Sequence, residues 1–206
     1  LSAFLFTYGL VKLDQLYVYT KSYEVFPYLA GIAFSIKLFL PSVIYFYTRS
    51  LTLSKVQQLK QKDLFAIFPP LLAAIIATPY YLLTGEQKIN LMDPLTRDPI
   101  LFERALLGCQ LGLLLFVSTA FTTTFLSFKK FKEHTNQLKM CFSRIDDKQI
   151  DWLRRVIIVL TVGWSWHAVN ELWLLIGSNP GDIHFMTLSF ELLLITYIAL
   201  RGINHE

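Results

Sequence analysis

Charged positions gather in a few short stretches of this 206-residue chain and leave long apolar windows between them. A helix needs about 20 apolar residues to cross about 30 Å of hydrocarbon. Five windows approach or exceed that length, over residues 25–47, 64–83, 100–128, 156–176 and 183–200, each bounded by a charged or Gly/Pro-rich turn signal. A sixth window, LSAFLFTYGLV at residues 1–11, has only about half the required length. It reads as the end of a helix whose start precedes Leu1. The pattern therefore predicts an all-α integral membrane bundle with about six transmembrane helices, forming one membrane domain over residues 1–206.

Composition supports that class. Hydrophobic residues make up 54% of the chain and charged residues 17%, against about 25% charged in a soluble domain, and the mean hydropathy is +0.46. The net charge of +4 arises from uneven loops. Residues 48–63 carry Arg49, Lys55, Lys60 and Lys62 against the acid Asp63, and residues 129–155 carry eight basic residues against four acids. Residues 85–104 carry Lys88, Arg97 and Arg104 against four acids, and residues 177–184 carry no Lys or Arg. Lys and Arg accumulate on cytoplasmic loops, which places 48–63 and 129–155 inside, 85–104 outside, and the C-terminus in the cytoplasm. Basic loops facing anionic lipid account for the charge without nucleic-acid binding by this domain.

The stretch FSRIDDKQIDWLRRVI at residues 142–157 resembles the segment that joins two membrane helices in bacterial AraC-type transcriptional regulators with an N-terminal multi-helix membrane sensor. FPYLAGIAFSIKLFLPSVIYFYTRSLT at residues 26–52 and KDLFAIFPPLLAAIIATPYYLLTGEQKI at residues 62–89 are similar to two further segments of those proteins, in the same order. The resemblance implies a seven-helix sensor in the parent protein, of which this chain holds about six helices. It also implies a helix-turn-helix DNA-binding domain after Glu206, a bacterial cytoplasmic-membrane location, and DNA as a partner only through that C-terminal domain.

Polar residues within the windows are the candidate chemistry, because each costs free energy in hydrocarbon unless it has a partner. Counting about 1.5 Å per residue from the outer helix ends, Lys37, Gln110 with Cys109, His167 and Glu191 fall at a similar depth, with Glu171 somewhat shallower. Trp164, His167, Ala168 and Glu171 follow i, i+3, i+4, i+7 spacing and share a helix face, while Trp166, Asn170 and Trp173 share the neighbouring one. Two readings stay open. Lys37, Gln110, Trp164, His167, Asn170, Glu171 and Glu191 either line a ligand pocket in the outer half of the bundle, or pair with one another to hold helices together, Lys37 with Glu171 or Glu191.

The remaining features are structural or negative. Residues 118–125, STAFTTTF, suit a helix whose hydroxyls bond their own backbone, and Pro41, Pro69, Pro70 and Pro79 interrupt backbone hydrogen bonding. No His-Glu-x-x-His motif, phosphate loop or nucleophile elbow is present, so neither enzyme activity nor a metal or cofactor is expected. The expected function is a membrane-embedded small-molecule sensor of a one-component transcriptional regulator. Its partners would be the lipid bilayer, a small-molecule or lipid ligand, and a second copy if it dimerises. Its rivals are a small transporter or channel with an intramembrane charge relay, and a membrane anchor without ligand.

Overall fold

The computed structural model describes residues 2–52, 61–141, 148–175 and 181–203, and every regular element in them is helical. The elements are α1 (Ser2–Tyr19), α2 (Ile32–Lys37), α3 (Phe39–Thr52), α4 (Gln61–Tyr81), α5 (Gly85–Met92), α6 (Pro99–Cys141), α7 (Lys148–Leu175) and α8 (Gly181–Ile203), with short 3-10 turns at Ser22–Glu24 and Pro27–Leu29. Two compact units result. The N-terminal unit comprises Ser2–Val43 and Leu59–Thr119; the C-terminal unit comprises Leu1, Ile44–Gln58 and Ala120–Glu206. In the N-terminal unit α2 packs against both α1 and α4, and in the C-terminal unit α7 packs on α8.

Among the described residues, two helical stretches are long and apolar enough to cross a membrane, Pro27–Thr52 and Pro99–Asn136. A third is counted if Phe65–Tyr81 and Gly85–Met92, bent by 97° from one another, form one broken span. This falls short of the six crossings that the windows predict. The α8 helix contributes a described apolar stretch, Ser189–Ile198, that is too short by itself. The crossing stretch of α6 is mostly uncovered by other helices, with 11% of its most apolar window buried, and Ile100, Leu107, Leu114, Phe121 and Phe125 are all exposed. Such a surface suits a lipid environment, where apolar side chains need no protein cover.

Four boundaries differ from the sequence expectation, each for a local reason. Residues 25–47 are not one helix: two 3-10 turns lead into α2, which ends at Lys37, and α3 begins at Phe39. Pro41 sets this break, because its ring would clash with the Lys37 carbonyl in a continuous helix, whereas in the first turn of α3 its missing N–H costs no helical bond. Residues 85–104 are not wholly loop. The Thr84 hydroxyl accepts from the Gln87 N–H while the Gln87 side chain accepts from the Thr84 N–H, a reciprocal cap that starts α5. The apolar window 1–11 continues as helix to Tyr19. Residues 129–155 are helical at both ends, with α6 running to Cys141 and α7 starting at Lys148, and residues 142–147 of the family-like stretch lie outside the described residues.

The α4 helix carries Pro69, Pro70 and Pro79 in its interior. Pro70 has no N–H to give the carbonyl of Ala66, four residues earlier, and Ala66 is 1% exposed. The buried Ser42 hydroxyl donates to that carbonyl instead. One side chain of α3 thus satisfies a backbone group that α4 has orphaned, as apolar surroundings require. Two glycines complete the unit. Gly31 caps α2 at φ 86, and a Cβ there would come within 2.6 Å of the Tyr80 ring. A Cβ on Gly112 would lie 2.2 Å from the Phe34 ring, so the bare backbone of α6 makes room for that aromatic.

Replacing Ser42 by Ala should destabilise the protein by about 1–3 kcal/mol, the cost of an unsatisfied buried acceptor, and Pro70→Ala in the same chain should recover part of it by restoring the helical donor. Thermal unfolding in detergent micelles checks both; additive effects of the two substitutions would show that the hydroxyl and the proline act separately.

Candidate functional site

The sequence-predicted residues divide between the units. Lys37 and Gln110 belong to the N-terminal unit; Trp164, His167, Asn170, Glu171 and Glu191 belong to the C-terminal one. The side chains of Glu171 and Trp173 lie outside the described residues. In the C-terminal unit the polar residues of α7 meet α8. Asn170 is 8% exposed, and its side-chain amide donates to the Thr187 hydroxyl, which also accepts from the Trp166 indole N–H at 3.2 Å. Trp166 stacks obliquely on Phe190, with ring centroids 6.5 Å apart. Gly163 lets Leu194 approach, since a Cβ there would sit 2.8 Å from its Cδ1. Trp164, His167 and Glu191 are half-buried. Thr187, Glu191, Leu194 and Ile198 follow helical spacing on one face of α8. Asn170 therefore has a cross-helix partner, the geometry in which polar groups hold membrane helices together.

In the N-terminal unit, Gln110 is exposed. The Lys37 ammonium lies 5.5 Å from the centroid of the Phe116 ring, and its charge acts on the Asp14 carboxyl. The apolar part of α1 ends at Val11, and Asp14 lies one turn beyond it. Burial raises the Asp14 pKa from the usual carboxylate value, and Lys37 offsets part of that rise. Nearby, the Tyr17 hydroxyl donates to the Phe26 carbonyl at 2.7 Å; burial raises its pKa, and the Asp14 charge adds to the rise.

These groups belong to a larger polar cluster that the sequence did not single out. Tyr80, at the end of α4, lies within electrostatic reach of Tyr17, Asp14, Cys109 and Tyr81. The Tyr81 hydroxyl donates to the Gly31 carbonyl at 3.1 Å, which leaves the Ser35 hydroxyl to donate to Tyr81 at 3.0 Å. The Tyr80 hydroxyl oxygen, by contrast, is buried with no hydrogen-bond partner among the described residues. Lys88, on α5, is 3% exposed. Its ammonium stands 5.3 Å from the Tyr80 ring centroid and 5.9 Å from that of Tyr28. Gly85 brings α5 this close to the 3-10 turn at Pro27–Leu29, because a Cβ there would meet Pro27 Cγ at 2.8 Å. Cation–π attraction of this kind contributes about 0.5–2 kcal/mol and leaves three N–H donors to be used.

No group of three or more His, Cys, Asp or Glu residues with metal-binding geometry occurs among the described residues. Asp14, Tyr17, Tyr28, Tyr80 and Lys88 come from α1, the 3-10 turn, α4 and α5, so no local motif announces them. The one available signal was the Thr-x-x-Gln cap at residues 84–87, which marks a helix carrying Lys88 in a segment otherwise read as loop. No family model, no curated protein and no solved structure matches this chain.

Replacing Thr187 by Val removes the acceptor shared by Trp166 and Asn170, and should lower stability by about 1–2 kcal/mol on the scale of interhelical hydrogen bonds. Thr187→Ser should stay near wild type. Unfolding in mixed micelles measures the difference, and a loss in Thr187→Ser with none in Thr187→Val would mean that the methyl group, not the hydroxyl, matters.

Proposed function

We propose that this chain is the membrane-embedded sensor of a one-component transcriptional regulator, inserted in a bacterial cytoplasmic membrane by about six crossings, with its C-terminus in the cytoplasm. The observation that carries the reading is the polar cluster of the N-terminal unit, where Lys88, 3% exposed, has the ring faces of Tyr28 and Tyr80 against its ammonium and the buried Tyr80 hydroxyl has no hydrogen-bond partner among the described residues. Ionisable groups within a membrane are functional-site candidates by default, since burial of a charge without a partner is costly. A ligand that binds one helix arrangement more tightly than another shifts the equilibrium between them, and a coupling of about 1–3 kcal/mol suffices for regulation. The break between α2 and α3 and the bend between α4 and α5 supply joints at which such a shift can occur. The resemblance to AraC-type membrane regulators supplies the output, a DNA-binding domain beyond α8.

A small transporter is the second reading, favoured by those same interrupted helices, because transporters place binding sites at discontinuous segments. The two part on flux. Reconstituted into sealed liposomes, a sensor should move protons or solutes no faster than empty vesicles do; gradient-driven uptake above that rate would decide for the transporter. The regulator reading further requires the full-length polypeptide to bind DNA from the membrane, and gel-shift or footprinting with solubilised full-length protein tests it.

The proposed topology places Asn90 outside and Asn136 inside. Single cysteines at these positions, with Cys109 and Cys141 replaced by Ser, should react and not react, respectively, with an impermeant maleimide in intact cells. The reverse pattern would invert the protein in the membrane and move α5 to the cytoplasmic face.

A further inference from the structure

We propose that the cluster of Lys88, Tyr80 and Tyr28 is an oxyanion site, which takes a carboxylate or phosphate group presented by a small solute or by a lipid headgroup. The inference rests on the sensor reading and names the chemistry of its ligand.

The argument begins with Lys88. Lys88 is 3% exposed as a residue and burial lowers its pKa, and burial of a charge without a compensating partner is expensive. A lysine so placed ordinarily has a carboxylate against it. Among the described residues none lies within ion-pair distance of Lys88; the faces of Tyr28 and Tyr80 stand against it. Ring faces stabilise the positive charge but accept no conventional hydrogen bond from its three N–H groups.

Tyr80 supplies an independent observation. Its ring forms one wall around the Lys88 ammonium, and its buried hydroxyl has no partner among the described residues. The adjacent Tyr81 hydroxyl is engaged by Ser35 and Gly31, so the lack of a partner belongs to one tyrosine of the pair. An oxyanion answers both deficits at once, accepting charge-assisted bonds from the ammonium and an O–H bond from the phenol.

The local charge balance agrees. Among the described residues, Lys37 acts on Asp14, whereas burial alone, and no charged neighbour, moves the Lys88 pKa. The Lys88 charge thus has no counter-ion among the described residues. A neutral or cationic ligand would leave it uncompensated. The rings of Tyr28 and Tyr80 give an organic anion apolar surface beside its charged end.

The test uses residues 1–206 in nanodiscs of phosphatidylcholine, titrated with inorganic phosphate and separately with acetate while thermal unfolding is followed. Wild type should be stabilised in a saturable way by at least one of the two anions. Lys88→Met should weaken that anion by about tenfold or more, the expected loss of a charge-assisted bond; Lys88→Arg should stay within about threefold, and Tyr80→Phe should weaken it by about fivefold. A second arm replaces part of the lipid by phosphatidylglycerol. If the lipid headgroup is a source of the anion, wild type unfolds at higher temperature in these discs, the added anion has less further effect, and Lys88→Met abolishes the lipid effect. If solutes alone enter, the titration is unchanged.

The site is refuted if wild type responds to neither anion and to neither lipid, or if Lys88→Met responds as wild type does. Should Lys88→Met fail to fold, Tyr80→Phe, which keeps the ring, decides: undiminished affinity overturns the proposal. These outcomes are separate from the flux measurement, since a sensor of neutral ligands would fail here and still carry no flux.

Discussion

A backbone carbonyl in apolar surroundings has to find a donor, and in this protein proline repeatedly removes the one the helix would provide. The exchange at Pro70 shows how the N-terminal unit depends on that constraint. Because the Ala66 carbonyl is answered by the Ser42 hydroxyl, the register of α3 against α4 is fixed by a hydrogen bond rather than by packing alone. Such a bond supplies a directionality that apolar packing between helices lacks. Pro41 acts on the neighbouring segment in a complementary way, ending α2 at Lys37 and placing itself in the first turn of α3.

That break also determines where the polar groups go. In an unbroken helix over residues 25–47, Lys37 would sit at a depth given by simple counting. With Pro27–Leu29 wound as a 3-10 turn and Gly31 in a left-handed conformation, α2 is a short piece held between α1 and α4. From it Lys37 meets the Phe116 ring and acts on Asp14. The bend after Tyr81 does the same for Lys88: α5 returns over the 3-10 turn and carries the ammonium to the tyrosine faces. Interrupted helices are thus the means by which charges from distant parts of the chain gather in one unit.

The helical class was legible in the sequence because apolar run length is a one-dimensional property. So were the approximate positions of α4, α6, α7 and α8. Boundaries were harder, since helices continue through charged residues when neighbouring turns support them, as α1 does past Lys12 and Asp14 and α6 does past Lys129 and Lys130. The break at Leu38 could have been read from Pro41, and α5 from its Thr84 and Gln87 cap. The cross-helix role of Asn170 was foreseeable as one of two readings, but its partner Thr187 was not, because helical periodicity gives a face and not the residue opposite. The tyrosine and lysine cluster was invisible for a stronger reason. Asp14, Tyr28, Tyr80 and Lys88 are unremarkable in their own segments and acquire meaning only through a 97° bend and a glycine contact.

The Phe34 ring resting on the bare backbone of Gly112 has a consequence for how this sequence can drift. The two positions share a single allotment of volume, one taking an entire aromatic ring and the other nothing beyond a hydrogen. Neither can change far by itself: a larger residue at 112 collides with the ring, and a smaller one at 34 opens a void. The pair should therefore vary jointly, with a residue such as Ala or Ser at 112 accompanied by a slimmer aliphatic at 34, and that correlated exchange would be a signature of the contact in diverged versions of the protein.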